Sequence, residues 1–294
     1  MVTRRDFAFK KVFATAFPGG GILVQWWMSN TYPAAVADPV FFIDVATATD
    51  NWQRLNTVPV ANACMYVDEN QRRCGSSESV YYRVAAYDGV TEHLSPPVQL
   101  LGGLLPHDYR IAREIIRKEY LRLKKYSGTA GMLYKRRTSG TRCPECTDWD
   151  IEDSPGKSQC RTCYGTGFVG GYYSGFPFWI DIANDMSNKD VNPPFGVTDL
   201  QVRTGRVVAY PVIDTYDMWA QEGTDKRYII RKTQDATTLK TWPLVIMLEL
   251  HGIPFSAIEY TVPEHQEDPE YTGLPVTSSR EGWRTGISYD YDIK

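Results

Sequence analysis

The stretch ILVQWWM, residues 22–28, places Ile22, Val24 and Trp26 on one face of an extended chain. Alternation with a period of two predicts a β-strand that buries one face. Residues 41–55 and 80–90 repeat the pattern, and their apolar sets are Phe41, Ile43 and Val45, then Val80, Tyr82, Val84 and Ala86. Short strands separated by glycine or polar turns predict an all-β sandwich, which we place at residues 1–103.

The same three segments resemble the B, C and F–G strands of a fibronectin type III domain, over about a third of the chain. The corner tyrosine of that family would align with Val80, whereas Tyr81 follows one residue later. The resemblance implies a spacer or a binding module, since a fold alone does not define a function.

Cys64 and Cys74 lie in ACMYVDENQRRCG, residues 63–75, which we predict to be one hairpin. They would face each other only if the loop of the hairpin had an odd number of residues. Two separate half-buried thiols are the favoured interpretation, and a disulfide is the alternative.

The length and the charge of the chain indicate several parts. A chain of 294 residues exceeds what one core usually supports, so we expect two or three domains. The net charge is −3, but residues 107–142 have a balance of +8 and residues 174–294 a balance of −7. This asymmetry indicates contacts between subunits or with other charged partners. We expect neither a membrane helix nor a signal peptide.

Residues 104–141 contain the clearest helix pattern, PHDYRIAREIIRKEYLRLKKYSG, followed by a linker. Asp108 is predicted to cap the start of the helix and Gly128 to end it. Helical spacing places an apolar stripe on Tyr109, Ala112, Ile116, Tyr120 and Leu123.

The remaining faces of this helix are basic, and the stretch YKRRTSGTR that follows continues this character. The favoured interpretation is an amphipathic helix that turns its arginines towards solvent or acidic protein surfaces. The alternative is non-specific DNA contact, because clustered Lys and Arg bind phosphates without reading the sequence. The residues concerned are Arg110, Arg113, Arg117, Lys118, Arg122, Lys124 and Lys125.

Two CxxC pairs, Cys143 with Cys146 and Cys160 with Cys163, lie in RCPECTDWDIEDSPGKSQCRTCYGTG, residues 142–167. Two such pairs can form the four-thiolate tetrahedron that zinc prefers. The alternatives are paired disulfides and an iron–sulfur cluster. Four protein ligands leave no open coordination position, so we expect structural Zn2+ in a zinc-knuckle insert at residues 142–170.

The stretch CRTCYGTG, residues 160–167, resembles the CxxCxGxG unit of chaperone-type zinc fingers. The unit occurs once and is not repeated, which argues against a chaperone. Gly165 and Gly167 are expected to let backbone amides point at thiolate sulfurs.

Residues 171–264 are predicted to form a β-rich, barrel-like domain, in which the apolar run at residues 244–248 indicates a fully buried strand. Residues 265–294 are polar with scattered Trp and Tyr. We interpret this segment as an extended arm that docks on a neighbouring subunit, with a frayed tail as the alternative.

The sequence shows no catalytic motif. His93, His107, His251 and His265 are dispersed, and the GxSxG, phosphate-loop and HExxH patterns are absent. We therefore expect that the chain is not an enzyme.

Three segments, GTGFVGGYY, TDKRYII and PLVIMLELHGIPFSAIEYTVP, resemble structural proteins of contractile-tailed bacteriophages, and the likeness covers about 120 residues. The resemblance implies a virion protein that is assembled in the host cytoplasm. Its place would be the neck, as a ring-forming connector or collar subunit between portal and tail. Its partners would be copies of itself and neighbouring virion proteins, with the basic segment facing DNA or an acidic neighbour. The alternatives are a baseplate or tail subunit, a nucleic-acid-binding zinc protein and a sugar-binding adhesin.

Overall fold

The computed structural model is mainly β and describes residues 9–29, 39–47, 51–69, 80–100, 104–146, 159–183 and 202–263. The strands before the helix are β1 (Phe9–Ala16), β2 (Ile22–Met28), β3 (Val40–Ala46), β4 (Gln53–Arg54), β5 (Met65–Asp68), β6 (Tyr81–Tyr87), β7 (Glu92–Leu94) and β8 (Val98–Gln99). The helix and the turn that extends it are α1 (Pro106–Arg122) and a π-helical turn (Leu123–Ser127).

The chain continues after α1 with further strands. They are β9 (Thr129–Tyr134), β10 (Phe176–Ile182), β11 (Val202–Val208), β12 (Met218–Gln221), β13 (Arg227–Leu239) and β14 (Trp242–Gly252), and a 3-10 turn (Ile258–Thr261) follows. In the part of the chain that the structure describes, no helix is long and apolar enough to cross a membrane.

Two antiparallel sheets form a sandwich in the N-terminal part. One sheet has the order β1-β2-β5 and the other the order β4-β3-β6-β7, with β8 also paired to β6. The facing side chains of the two sheets form one core. Trp26, Ile43, Tyr82 and Val84 are each no more than 1% exposed in this core. The strand faces predicted from the sequence are therefore confirmed.

Six strands close a barrel in the order β10-β11-β14-β13-β12-β9. The predicted buried run lies in β14, where Leu244, Val245 and Leu248 are at most 1% exposed. The barrel starts earlier than residue 171, the predicted start of the β domain, because β9 precedes the cysteine cluster. A Cβ atom at Gly131 of β9 would lie 2.5 Å from the indole of Trp219. The ring of Trp219 occupies the space that a side chain at Gly131 would need. Because this position has to be glycine, the sequence of β9 lacks the alternation of apolar and polar residues by which a strand is predicted.

Helix α1 packs on β11 and β14 of the barrel. The predicted apolar stripe is confirmed, since Tyr109, Ala112, Ile116 and Leu123 are at most 5% exposed. Tyr120 completes the stripe with an edge-on contact to a tryptophan of β10.

The predicted end of the helix is confirmed, but the predicted start is wrong. The N–H of Gly128 closes the π-helical turn by donating to the carbonyl of Leu123 at 2.9 Å. Pro106 begins the helix, without a side-chain cap, and Asp108 lies inside the first turn. Proline suits the first helical position because its fixed φ and missing N–H cost nothing there. Asp108 instead bonds to Lys240, at the turn between β13 and β14.

The barrel covers the outer face of the first sandwich sheet. Leu23 and Gln25 of β2 point away from the sandwich core and are nevertheless fully buried. The amide of Gln25 makes two bonds to the backbone of Val212, donating to its oxygen at 3.1 Å and accepting from its N–H at 2.8 Å. Phe13 of β1 stacks on Tyr210 with ring centroids 5.4 Å apart. Sandwich, helix and barrel therefore share one continuous core.

Some predictions concern residues for which no structure is described. Cys74 and the arm at residues 265–294 lie outside the described ranges. Cys64 is a free thiol in the shared core and is buried rather than half-buried. Its burial raises the pKa of its thiol to about 12.

Candidate metal centre

The four cysteines lie in the loop that joins β9 to β10, two neighbouring strands of the barrel. Beyond these strands the two chain segments run side by side as an irregular ribbon. Bridges between Arg136 and Tyr172 and between Arg142 and Phe168 hold the ribbon together. The cysteine segment is therefore an insert between two paired strands of the barrel.

The predicted ligands converge at the tip of this ribbon. Cys143, Cys146, Cys160 and Cys163 are each at most 9% exposed. Their sulfur atoms all lie within 4.8 Å of one another, with 3.7 Å from Cys143 to Cys160 and 3.2 Å from Cys146 to Cys163. Metal–sulfur bonds of about 2.3 Å in a tetrahedron place the sulfurs about 3.8 Å apart. These four cysteines are therefore close enough to hold one metal ion.

Backbone amides point at the sulfurs of Cys143, Cys160 and Cys163. The N–H of Glu145 donates to Cys143, those of Thr162 and Cys163 donate to Cys160, and those of Gly165 and Gly167 donate to Cys163. The two glycines have φ angles of 76° and 85°, which glycine adopts without steric cost. These two glycines therefore allow the backbone to direct amides at the sulfur of Cys163.

The protonation of the thiols depends on the balance between burial and these amides. Burial raises the pKa of the Cys163 thiol to about 12, although amides donate to its sulfur. At Cys160 burial also opposes ionisation, but the donated N–H groups and the neighbouring thiols of Cys143 and Cys163 together outweigh it and lower the pKa. Four thiolates at these distances would repel one another strongly. A cation between them removes that repulsion, so the donor set fits a metal ion that binds thiolates.

The two CxxC turns are also hydrogen-bonded to each other. The N–H of Cys143 donates to the carbonyl of Gly167 at 2.9 Å, which joins the first turn to the second. The hydroxyl of Thr166 donates to the carbonyl of Cys163 at 2.7 Å. A Cβ atom at Gly171 would lie 2.7 Å from that same carbonyl, so only glycine fits there. The ligand geometry is thus set by short backbone contacts.

The basic stretch between β9 and the cysteines, which continues the basic character of the helix in the sequence, is largely buried. Lys135 is 3% and Arg137 6% exposed. The ammonium of Lys135 donates to Asp217 at 2.5 Å, to Asp214 at 2.7 Å and to the carbonyl of Val212 at 2.9 Å. Burial opposes the charged form of Lys135, but the two aspartates outweigh it and raise the pKa of the amine.

This lysine cluster joins the ribbon to the barrel and to the sandwich. The indole of Trp27, in β2, donates to Asp214 at 3.0 Å. Arg137 donates to the side chain of Asn62, which also belongs to the sandwich. Sequence reasoning missed Lys135, Asp214 and their neighbours, because the partners lie about 80 residues apart in the chain.

Some of the basic residues predicted for DNA contact are held by contacts within the chain, and others are exposed. Arg122 bonds to Glu119 and Asp181, and Lys124 lies over the ring of Trp179, so both serve contacts within the chain. Arg113 and Arg117 pair with Glu114 on the surface of the helix. The exposed members of the set are Arg110, Arg117, Lys118 and Lys125.

Comparison of the chain with protein-family models, with curated proteins and with solved structures found no match. The class of the protein is therefore described by its own fold and site. It is a β-sandwich joined to a β-barrel, with a four-cysteine insert that can hold a metal ion. Among the described residues, this is the one group of three or more His, Cys, Asp or Glu side chains whose ligand atoms converge.

Proposed function

We propose that the chain is a structural subunit of a tailed-phage virion, which forms a ring at the neck as a connector or collar between head and tail. The observation that carries the proposal is the closed four-cysteine centre at the tip of a barrel hairpin. The resemblance to contractile-tail proteins supports it, since the segments concerned are the end of the insert and the strands β13 and β14.

The metal in this proposal is structural zinc. Cys143, Cys146, Cys160 and Cys163 would hold it, and four thiolates in a tetrahedron are the ligand set that zinc prefers. Zinc bound in this way crosslinks the two CxxC turns. All four positions are occupied by protein, so no water or substrate reaches the ion, and the chain has no need of a reaction to explain the site. A short ribbon with many turns buries too little apolar surface to order itself, which is the situation that structural metals remedy.

The joint between sandwich and barrel suits a ring subunit. A closed ring requires that every copy presents its contact surfaces at the same angle. Here Gln25, Trp27 and Phe13 of the sandwich each contact the barrel directly. A shared core and specific polar contacts make the two parts one rigid body, which the metal-bound ribbon braces through Arg137.

We assign the sandwich to the fibronectin type III class, as a spacer or binding module within the subunit. The strand taken as B lies in one sheet and the strands taken as C, F and G lie in the other, as expected for this architecture. Tyr82, and not Val80 or Tyr81, supports the corner between the sheets. It is fully buried, and its hydroxyl donates to Asp68 at 3.1 Å.

A second candidate function is nucleic-acid binding by the same zinc protein. The exposed side of α1 carries Arg117, Lys118 and Lys125, and Tyr126 beside them is 85% exposed. Such a surface could contact phosphates without reading bases. Lys118→Gln/Lys125→Gln should then weaken binding to a DNA duplex and lower its salt dependence, whereas ring formation by the purified chain should not change.

Native mass spectrometry of the full-length chain tests the proposal. One zinc per chain in a discrete ring is the expected result, and Cys143→Ser/Cys160→Ser should lose both the zinc and the ring. Cys64→Ser is the matched control, because it removes a thiol from the core and leaves the four ligands in place. A zinc-loaded monomer would contradict the ring. A metal-free chain lighter by two hydrogens per disulfide would contradict the metal.

A further inference from the structure

Two arginines lie against the ring of one exposed tyrosine on the barrel. The guanidinium carbon of Arg136 is 5.3 Å from the ring centroid of Tyr216, and that of Arg231 is 4.9 Å from it. Tyr216 is 43% exposed. Neither arginine forms a salt bridge with any residue that the structure describes. The cluster therefore places two guanidinium groups, neither of them in a salt bridge with a described carboxylate, beside a partly exposed ring.

The backbone holds this cluster in place. Tyr216 has a φ angle of 72°, which costs about 1 kcal/mol or more for a residue with a side chain. Its N–H donates to Ile230 in β13 at 2.7 Å, and the carboxylate of Asp217 accepts the N–H of Arg136 at 2.9 Å. One short turn thus presents the tyrosine between a residue of the ribbon and a residue of β13. Fixed guanidinium groups without carboxylate partners are suited to bind an anion.

The described chain ends close to this cluster. Arg227 donates to the carbonyl of Val262 at 2.9 Å, and Val262 packs in one small core with Tyr172. Tyr172 is the residue that bridges to Arg136 in the ribbon. Arg231 lies in β13 at the bulge between Ile230 and Lys232. Val262 is thus linked through Tyr172 to the Arg136 side of the cluster.

The residues that follow Val262 have the complementary charge. The sequence at residues 264–270 is EHQEDPE, with four carboxylates and no Lys or Arg. Seven residues of extended chain span about 23 Å, more than the separation of two guanidinium groups that lie against one ring. We propose that the cluster of Arg136, Tyr216 and Arg231 binds the carboxylates of residues 264–270 of its own chain. The segment would be anchored at its base, and residues 271–294 would continue from a fixed point on the barrel. This inference does not depend on the connector function.

A labelled peptide of residues 262–272 provides the probe. Its fluorescence anisotropy is measured with the wild-type full-length chain and with a full-length variant neutralised by Glu264→Gln, Glu267→Gln, Asp268→Asn and Glu270→Gln. Because the attached segment competes with the peptide, the neutralised variant should bind it about tenfold more tightly than the wild type.

Substitutions of the cluster locate the site. Arg136→Gln/Arg231→Gln in the neutralised variant should weaken peptide binding about tenfold, from the loss of two charge pairs. Arg117→Gln/Lys118→Gln removes the same charge from α1 and should leave binding unchanged. Unaltered near-ultraviolet circular dichroism shows that each variant is folded.

Three results would overturn the inference. Equal peptide binding by the wild-type chain and the neutralised variant would mean that the cluster is not occupied by its own segment, and is open to a second copy. An equal loss from the α1 pair would mean non-specific charge attraction. Displacement of the peptide by a DNA oligonucleotide at lower concentration than by the peptide itself would assign the cluster to phosphate. Zinc content and ring mass are separate readouts, so a failure here is distinct from a failure of the connector proposal.

Discussion

Replacement of Lys135 by methionine tests whether the buried lysine cluster holds the barrel, the ribbon and the sandwich together. The side chains of Lys135 and Asp217 are 4% and 1% exposed, so their charges are almost entirely removed from water. Lys135→Met keeps the length and the apolar stem of the side chain. It leaves the carboxylate of Asp217 buried without its cation, and such a loss costs about 3–5 kcal/mol.

Two hydrogen bonds to Asp217 place the expected cost of Lys135→Met near the lower limit of this range. Asp217 keeps two N–H donors, from Arg136 at 2.9 Å and from Asp214 at 2.8 Å. These bonds continue to stabilise the carboxylate after the ammonium is gone. We therefore expect the free energy of unfolding to fall by about 3 kcal/mol, which is a large part of the 5–15 kcal/mol typical of a folded domain.

Urea denaturation followed by circular dichroism measures this effect, and two further variants give it a reference. Asp214→Asn removes a charge that is 46% exposed and should cost about 1 kcal/mol or less. Lys135→Met/Asp217→Asn removes both buried charges and should be more stable than Lys135→Met alone by about 1–2 kcal/mol. If the double variant were less stable than Lys135→Met, the cost would not come from an uncompensated carboxylate, and the reasoning would fail.

Three other predictions concern acid stability, packing and the metal. Burial opposes the ionisation of Glu119, but Arg122 and Arg206 outweigh it and lower the pKa of its carboxyl group. The wild type should therefore be more stable than Glu119→Gln by about 1 kcal/mol above pH 4.5, and this advantage should vanish as the pH falls through the lowered pKa. Denaturation midpoints measured from pH 7 to pH 3 check this. Gly131→Ala places a Cβ atom 2.4 Å from the carbonyl of Ala220 and should lower the free energy of unfolding by about 3 kcal/mol. Gly223→Ala meets open space, but its φ is 75°, so it should lower the free energy of unfolding by only about 1 kcal/mol in the same urea denaturation assay. If the four cysteines hold a metal, a chelator should lower the melting temperature of the wild type and have no effect on a variant that lacks Cys143 and Cys160. Equal shifts in both would exclude a stabilising ion at this centre.

Local periodicity was sufficient to predict the elements that bury one face. The alternating sets of β2, β3 and β6 and the stripe on α1 follow from the repeat of apolar residues, and each faces a core. The convergence of the four cysteines could also be predicted, because each CxxC pair places its two thiols on one tight turn. These features depend on residues that are close in sequence, so a single sequence contains the information.

The features that depend on distant partners could not be predicted in this way. Gln25 reads as the outward residue of a strand, yet it is buried because Val212 lies opposite to it, 187 residues later. Lys135 and Arg137 belong to a basic stretch of the sequence, yet both are buried and bond to aspartates and an asparagine from other parts of the chain. The opposite charges of the two halves, expected to act between subunits, are in part satisfied inside one chain. Arg122 with Asp181 is a further example.

The order of residues along the ribbon couples the metal centre to the joint between sandwich and barrel. Lys135 and Arg137 precede Cys143 by eight and six residues on the same segment, and the returning segment contains Cys163 and Tyr172. The backbone of the ribbon is held by bridges at both ends, at Arg136–Tyr172 near the barrel and at Arg142–Phe168 near the cysteines. An ion that orders the cysteine tip reduces the conformational freedom of the whole ribbon, and with it the entropy lost when Lys135 and Arg137 engage their partners. A metal bound by the four cysteines and the joint should therefore stabilise each other, although in the described residues no recorded contact joins these cysteines to Lys135, Asp214 or Asp217.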